Sequence, residues 1–163
     1  MKRGSMTIAI LFCFLLCAPL YGEIKPFLTT SLKAMVRDHQ DEPWLLVIWS
    51  IDCAPCYEEL DLIAKFMAEN SHVAIELIST DSLSDKPYVS RVLRISGLSK
   101  SWLYGDSNEE ELQNIIDPEW RGEQPRSYFY SADGSRVGMS GVVNETLLKS
   151  WFGSGNRECD SLH

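Results

Sequence analysis

A chain of 163 residues, 45% apolar and 23% charged, has room for one ordinary domain with its core and little left for a second. Its 15 basic residues stand against 23 acidic ones, a formal net charge of −8, which argues against nucleic acid and anionic lipid as partners. No low-complexity tract or internal repeat is evident, so a globular fold is expected rather than a linker or repeat array.

Residues 1–22 read as a secretory signal. Lys2 and Arg3 precede "TIAILFCFLLCAPLYG", an uncharged apolar stretch too short and too proline-interrupted for a comfortable membrane span. A cut after Gly22 leaves a small residue at the cleavage point, whereas a cut after Ala18 places Pro19 just beyond it. Cys17 invites a lipoprotein reading, but Leu16 before it is bulky where lipid attachment wants a small residue; an uncleaved N-terminal anchor is the other alternative. Removing Lys2 and Arg3 from the 15 basic residues leaves 13 against 23 acids, about 10 net negative charges. Export also changes the reading of the cysteines, because disulfides persist in oxidising compartments. Cys13 and Cys17 leave with the signal, so Cys53, Cys56 and Cys159 remain, and their odd number excludes a disulfide framework.

The expected domain covers 23–155, followed by a polar tail over 156–163. "TTSLKAMVRDHQ" places Leu32, Met35 and Val36 at helical spacing behind a Thr/Ser cap, and "DEP" breaks the pattern. "WLLVIWS", Trp44 to Ser50, is apolar on both faces, as suits a central strand covered from both sides. From Cys53 to Asn70 an amphipathic helix is predicted, with Leu60, Ile63, Ala64 and Met67 on one stripe and Asn70 as its stop. "HVAIELIST" reads as a second buried strand and "SLSDKPYVSRVLRIS" as a helix ended by Gly97. "SWLYG" is a short strand or turn, and "SNEEELQNII" an acidic helix. Next come two strand-like runs within "RSYFYSADGSRVGMSGVV", joined by Asp133-Gly134, a dipeptide that accepts the positive φ angles of a hairpin turn. "NETLLKSWF" closes as a helix capped by Asn144. A parallel βαβ half, an antiparallel hairpin and a covering helix make an α/β sandwich around one sheet.

The stretch "WSIDCAPCYEEL" carries the chemistry. Cys53 and Cys56, three apart at a helix start, share a face and lie within the span of a disulfide. They can form a redox switch, a structural staple or half of a metal site. Zinc wants four ligands, and His39, His72, His163 and the distant Cys159 stand at no ligand spacing. The unpaired amides of the first turn stabilise a thiolate at Cys53, and Pro55 within that turn costs no hydrogen bond. A thiol of pKa ~8.5 is about 3% ionised at neutral pH; lowered to ~7, it is about half ionised, a gain of about 2 kcal/mol. Asp52 opposes a second negative charge beside it, unless its carboxylate caps the helix instead.

These residues resemble a known family. The Trp49-containing strand, "CAPC" opening a helix and the late "EQPRSYFYSADGSRVGMSGVV" are similar to the thioredoxin fold, a three-layer α/β/α sandwich. "CAPCYEE" resembles exported TlpA-type and ResA-type thiol-disulfide oxidoreductases, whose motif has a glutamate three residues after the second cysteine. Glu59 holds that place. The resemblance covers about 27–153 and is loose between about 82 and 120. It implies that Pro125, preceded by Gln124, is a cis proline facing the disulfide, with Gln124 and Pro125 near the bound polypeptide; Trp49 reads as core packing near the disulfide, with contact to the polypeptide a secondary role. It implies exchange through a mixed disulfide, with Cys53 attacking and Cys56 resolving, no cofactor and no metal. Val47 stands where cytosolic thioredoxins have an acid, Asp52 where tryptophan is usual and Leu60 where proline often follows the glutamate. Without an acid at 47, Glu59 is the candidate proton relay. No histidine lies between the cysteines, which favours a reductant over an oxidant or isomerase. The resemblance further implies a periplasmic monomer with disulfide-bonded exported proteins as substrates, apocytochromes among them, and a membrane electron donor. A thioredoxin-fold adaptor that binds polypeptide without turnover is the alternative from another class.

Overall fold

The structure, a computed structural model, describes residues 23–105 and 107–153. The expectations for the signal segment, Cys159, His163 and the polar tail fall outside these residues. In chain order the elements are β1 (Glu23–Pro26), α1 (Ser31–Asp38), β2 (Trp44–Trp49), α2 (Ala54–Glu69), β3 (Ala74–Ser79), α3 (Lys86–Ile95), β4 (Lys100–Leu103), α4 (Glu109–Ile116), β5 (Arg126–Tyr130), β6 (Arg136–Ser140) and α5 (Glu145–Gly153). The strands form one sheet in the order β1-β4-β3-β2-β5-β6. β1, β4, β3 and β2 run parallel, and β5 and β6 are antiparallel additions.

Every residue of β2 is buried, because both faces of the sheet are covered. Leu45, Val47 and Trp49 face α2, α3 and α5, where Leu60, Ile63, Phe66, Leu93 and Leu148 complete one core. Trp44, Leu46 and Ile48 face α1 and α4, where Met35, Leu112 and Ile116 complete the other. The three-layer α/β/α sandwich is thus observed. The apolar stripe of α2 includes Phe66, which the reading of spacing omitted, while Ala64 and Met67 sit at its half-buried margin.

The ends of the helices show why they stop and start where they do. Gly97, at φ +83°, closes α3 with Leu98 N–H on Leu93 O (2.7 Å) and Gly97 N–H on Arg94 O (3.2 Å), a Schellman ending that satisfies the last carbonyls. Asn144 Oδ1 accepts from Leu147 N (2.9 Å), the expected cap of α5, and Asn70 ends α2.

Three local expectations are corrected, and one pair of alternatives is decided. The Thr/Ser pair at the start of α1 makes no side-chain cap; Ser31 Oγ instead accepts from Leu28 N (2.9 Å), tightening the turn that enters the helix. α3 begins at Lys86 rather than Ser82, because Leu83–Asp85 form a 3-10 turn ahead of Pro87. Of the strand or turn expected at "SWLYG", the strand is observed: Ser101–Leu103 lie in β4, paired on both sides, whereas its partner β1 was not read at all; four residues carry too little pattern to be seen without that partner. In the hairpin, Gly134 takes a positive φ (+83°) but Asp133 does not. The turn is instead closed by Gly134 N–H to Ser131 O (2.9 Å), with Asp133 Oδ1 accepting from Ser135 N (2.8 Å).

Ile63 is fully buried on α2 at the centre of the larger core. Ile63→Ala is therefore expected to lower unfolding free energy by about 2–5 kcal/mol, as measured by urea denaturation of the oxidised protein, with the fold retained.

Candidate active site

Strand β2 ends at Trp49, and a tight turn closed by Cys53 N–H on Ser50 O (3.2 Å) delivers Cys53 to the cap position of α2. Pro55 lies in the first turn, where no intrahelical donor is lost. Cys53 and Cys56 are joined by a disulfide with Cα atoms 5.3 Å apart. Their exposures differ: Cys56 is buried, whereas Cys53 is half-exposed. An incoming reagent therefore meets the Cys53 sulfur first. Asp52 is exposed, and α2 has no side-chain cap, so its carboxylate does not take the capping role. The Tyr57 hydroxyl donates to Ile51 O (2.6 Å), tying α2 back to the turn that precedes the disulfide.

Glu59 lies one helical turn beyond Cys56 and is 1% exposed. Its Oε1 accepts from Ser127 Oγ (2.9 Å) and from Val143 N (3.4 Å), while Oε2 is buried without a partner. Burial pushes its carboxyl from the ordinary 4.5 up to about 7, against the opposing pull of Ser127 and the Val143 amide. Ser127 pairs with Val47 across β5 and β2. A buried acid on α2 thus lies above the part of the sheet that holds Val47. Leu60, beside Glu59, is fully buried core.

The Gln124-Pro125 peptide is cis. Arg126 pairs with Ile48, so Pro125 falls beside Trp49, at the end of β2 from which the cysteine turn departs. Pro125 O accepts from Gly141 N (2.9 Å), and the Gln124 amide donates to Thr80 Oγ1 (2.8 Å). Trp49 packs in the core as expected, and its secondary role of contacting polypeptide is corrected. It is 0% exposed, packs in the same core as Cys56, and donates from Nε1 to Ser101 Oγ at 3.4 Å, so it offers no surface to a substrate and serves as packing. The structure brings Cys53, Cys56, Glu59 and Pro125 to one end of the sheet. His39 lies elsewhere, with its Nε2 3.1 Å from Glu76 Oε1 and its ring stacked on Trp44, and His72 sits in the α2–β3 turn. Among the described residues no group of three His, Cys, Asp or Glu side chains could hold a metal ion.

Residues that sequence reasoning missed surround these. Asp81 accepts from Ser50 Oγ (2.7 Å) and Ile51 N (3.2 Å), and Thr80 N–H bonds Trp49 O (3.0 Å). In the sequence "STDSL" reads only as a polar loop after a strand, and nothing local marks its contact with residues thirty positions earlier.

Solved structures with this arrangement of strands and helices decide the fold. A secreted disulfide oxidoreductase of Mycobacterium tuberculosis, described as homologous to E. coli DsbE, matches with a TM-score of 0.60 at 20% identity, over 72% of this chain and 85% of that one. StoA from Bacillus subtilis matches at 0.51 and 19% identity, over 69% and 83%. The chain has the thioredoxin fold. A thioredoxin-related protein from Neisseria meningitidis serogroup B agrees, with a TM-score of 0.54 at 19% identity over 69% of this chain and 84% of that one. No family model matches the sequence, and no curated protein matches it significantly. Within the thioredoxin fold, the disulfide stands at the start of the helix that follows the central strand.

The raised carboxyl of Glu59 has a consequence for stability. In the unfolded chain the group ionises near 4.5 and in the folded one near 7, so the folded state holds a proton that the unfolded state releases between these values. The corresponding stability is complete below pH 4.5 and is lost as pH rises through 7, a fall of about 3 kcal/mol at ~1.36 kcal/mol per unit. Glu59→Gln is expected to match wild type at pH 4.5 and to exceed it at pH 8, measured by urea denaturation of the oxidised proteins.

Proposed function

We propose that the protein is an exported thiol-disulfide oxidoreductase that reduces disulfides in other exported proteins. The observation that carries this reading is the Cys53–Cys56 disulfide at the start of α2 with a buried, protonatable Glu59 one turn further along. The thioredoxin fold and the secreted oxidoreductase among its structural neighbours support it.

In the reduced protein the amides at the start of α2 favour Cys53 as thiolate. Cys53 attacks one sulfur of a substrate disulfide, forming a mixed disulfide and releasing the other sulfur as thiolate. Buried Cys56, deprotonated, then attacks the Cys53 sulfur. The second substrate sulfur leaves, the substrate gains two electrons, and the Cys53–Cys56 bond forms. Glu59 takes the Cys56 proton: with a carboxyl near 7 it can accept or give one at neutral pH, and Oε2 is the oxygen left free to do so. The backbone before cis Pro125 pairs with the extended substrate, held in place by the Gln124–Thr80 bond. Two electrons and two protons from a membrane donor regenerate the dithiol. Ala54 and Pro55 place no histidine between the sulfurs, which supports the reducing direction. The substrates are disulfide-bonded exported proteins, apocytochromes awaiting haem among them, and the protein works as a monomer.

Reduction of insulin by dithiothreitol tests this. Wild type is expected to accelerate it, Cys53→Ser to return it to the uncatalysed rate, and Cys56→Ser to accumulate a mixed disulfide through Cys53. A wild type that binds unfolded polypeptide but leaves the insulin rate unchanged would show an adaptor rather than an enzyme.

A further inference from the structure

Behind the cysteine turn lies a buried carboxylate that the exchange mechanism leaves unused. Asp81 is 9% exposed, and its contacts with described residues are to hydroxyls and amides rather than to a cation. Oδ1 accepts from Ser50 Oγ at 2.7 Å, both oxygens lie 3.2 Å from Ile51 N, and Oδ2 accepts from Ser79 Oγ. Ser50 Oγ in turn accepts from Asp52 N (3.1 Å). Three consecutive residues before Cys53 are thus held, directly or through one hydroxyl, by one side chain. The Asp81 backbone is fixed as well: its N–H donates to Ser79 Oγ (3.2 Å) and its carbonyl accepts from Gly105 N (3.0 Å). The anchor is therefore bonded through both its side chain and its backbone.

That charge is bonded to the turn that carries Cys53. Ser50 and Cys53 are the ends of a hydrogen-bonded turn, so their Cα atoms are within about 7 Å. Hydrogen bonds that satisfy a carboxylate do not cancel its charge, and partial burial screens it less than an exposed acid is screened. A fixed negative charge there opposes a second one on Cys53, and the oxidised pair carries none. The nearby carboxylates include Asp52 and Glu58, both exposed; Glu59, held protonated below neutral pH; and Asp81.

We infer that Asp81 is a positioning residue of the redox centre: it locks the Ser50–Ile51 turn that presents Cys53, and its charge biases the pair toward the disulfide form. The inference rests on the oxidoreductase reading and deepens it, because a pair biased toward its disulfide is a better electron donor when reduced.

The test is the equilibrium with glutathione at pH 8, in which two glutathione molecules supply two electrons and two protons to the disulfide and leave as glutathione disulfide. Asp81→Asn keeps the shape and removes the charge; it is expected to move the equilibrium about tenfold toward the dithiol, equivalent to about 30 mV. Asp81→Ser, shorter and also neutral, is expected to move it the same way should the amide not be accommodated. Asp81→Glu keeps the charge and displaces the turn; its equilibrium should stay within about twofold of wild type while kcat for insulin reduction falls and KM holds. A folded neutral variant with the wild-type equilibrium overturns the inference, and so does an Asp81→Glu protein whose equilibrium shifts tenfold. The equilibrium is read without turnover, so a wild type inactive toward insulin would contradict the oxidoreductase reading separately.

Discussion

Strand β2 is buried along its whole length between two layers of helices, and the place of the cysteine pair follows from that constraint. A strand apolar on both faces cannot have its register fixed by hydrophobicity alone, since a one-residue slip would still bury apolar side chains. Specific partners fix it instead. Trp44 stacks on Tyr130 with ring centroids 4.1 Å apart, Trp49 donates to Ser101, and the Trp49 carbonyl accepts from Thr80. With β2 fixed, the turn after it has one exit. Cys53 arrives where the unpaired amides of α2 converge, and β5 places Pro125 alongside.

The electrostatics of this end of the sheet is a contest between helix and acids. The start of α2 favours a thiolate at Cys53, while Asp52 and Asp81 oppose it. Glu59 is removed from that contest by its own burial, which keeps it protonated until about neutral pH. Its desolvation thus spares the pair a further negative charge below neutral pH, and under the proposed function it leaves a carboxyl able to accept or give a proton near pH 7. The stability given up by ionising Glu59 is the thermodynamic counterpart of that tuning.

The sequence revealed what local pattern encodes. The length and composition of "WLLVIWS", the amphipathic spacing of α2, the caps Asn70 and Asn144 and the stop at Gly97 all act within a few residues, and the structure places them as read, the omission of Phe66 from the α2 stripe excepted. β1 escaped notice because its strand character comes from its pairing with β4. Ser31 misled because a hydroxyl before a helix can bond forward as a cap or backward into the turn, and only the packed entry decides. The burial of Glu59 was hidden in "YEELD", where it looks like its exposed neighbour Glu58; the resemblance singled it out, but its partner Ser127 lies 68 positions away. Asp81 was invisible for the same reason.

The central claim is that Cys53 ionises more readily than an ordinary thiol because of where α2 begins. The most direct measurement is the rate of iodoacetamide modification of Cys53 in the reduced protein as a function of pH, resolved by peptide mass mapping. The account predicts a midpoint well below ~8.5 and, at neutral pH, faster modification at Cys53 than at Cys159. A midpoint near that of a free thiol, with the two cysteines reacting alike, would contradict it.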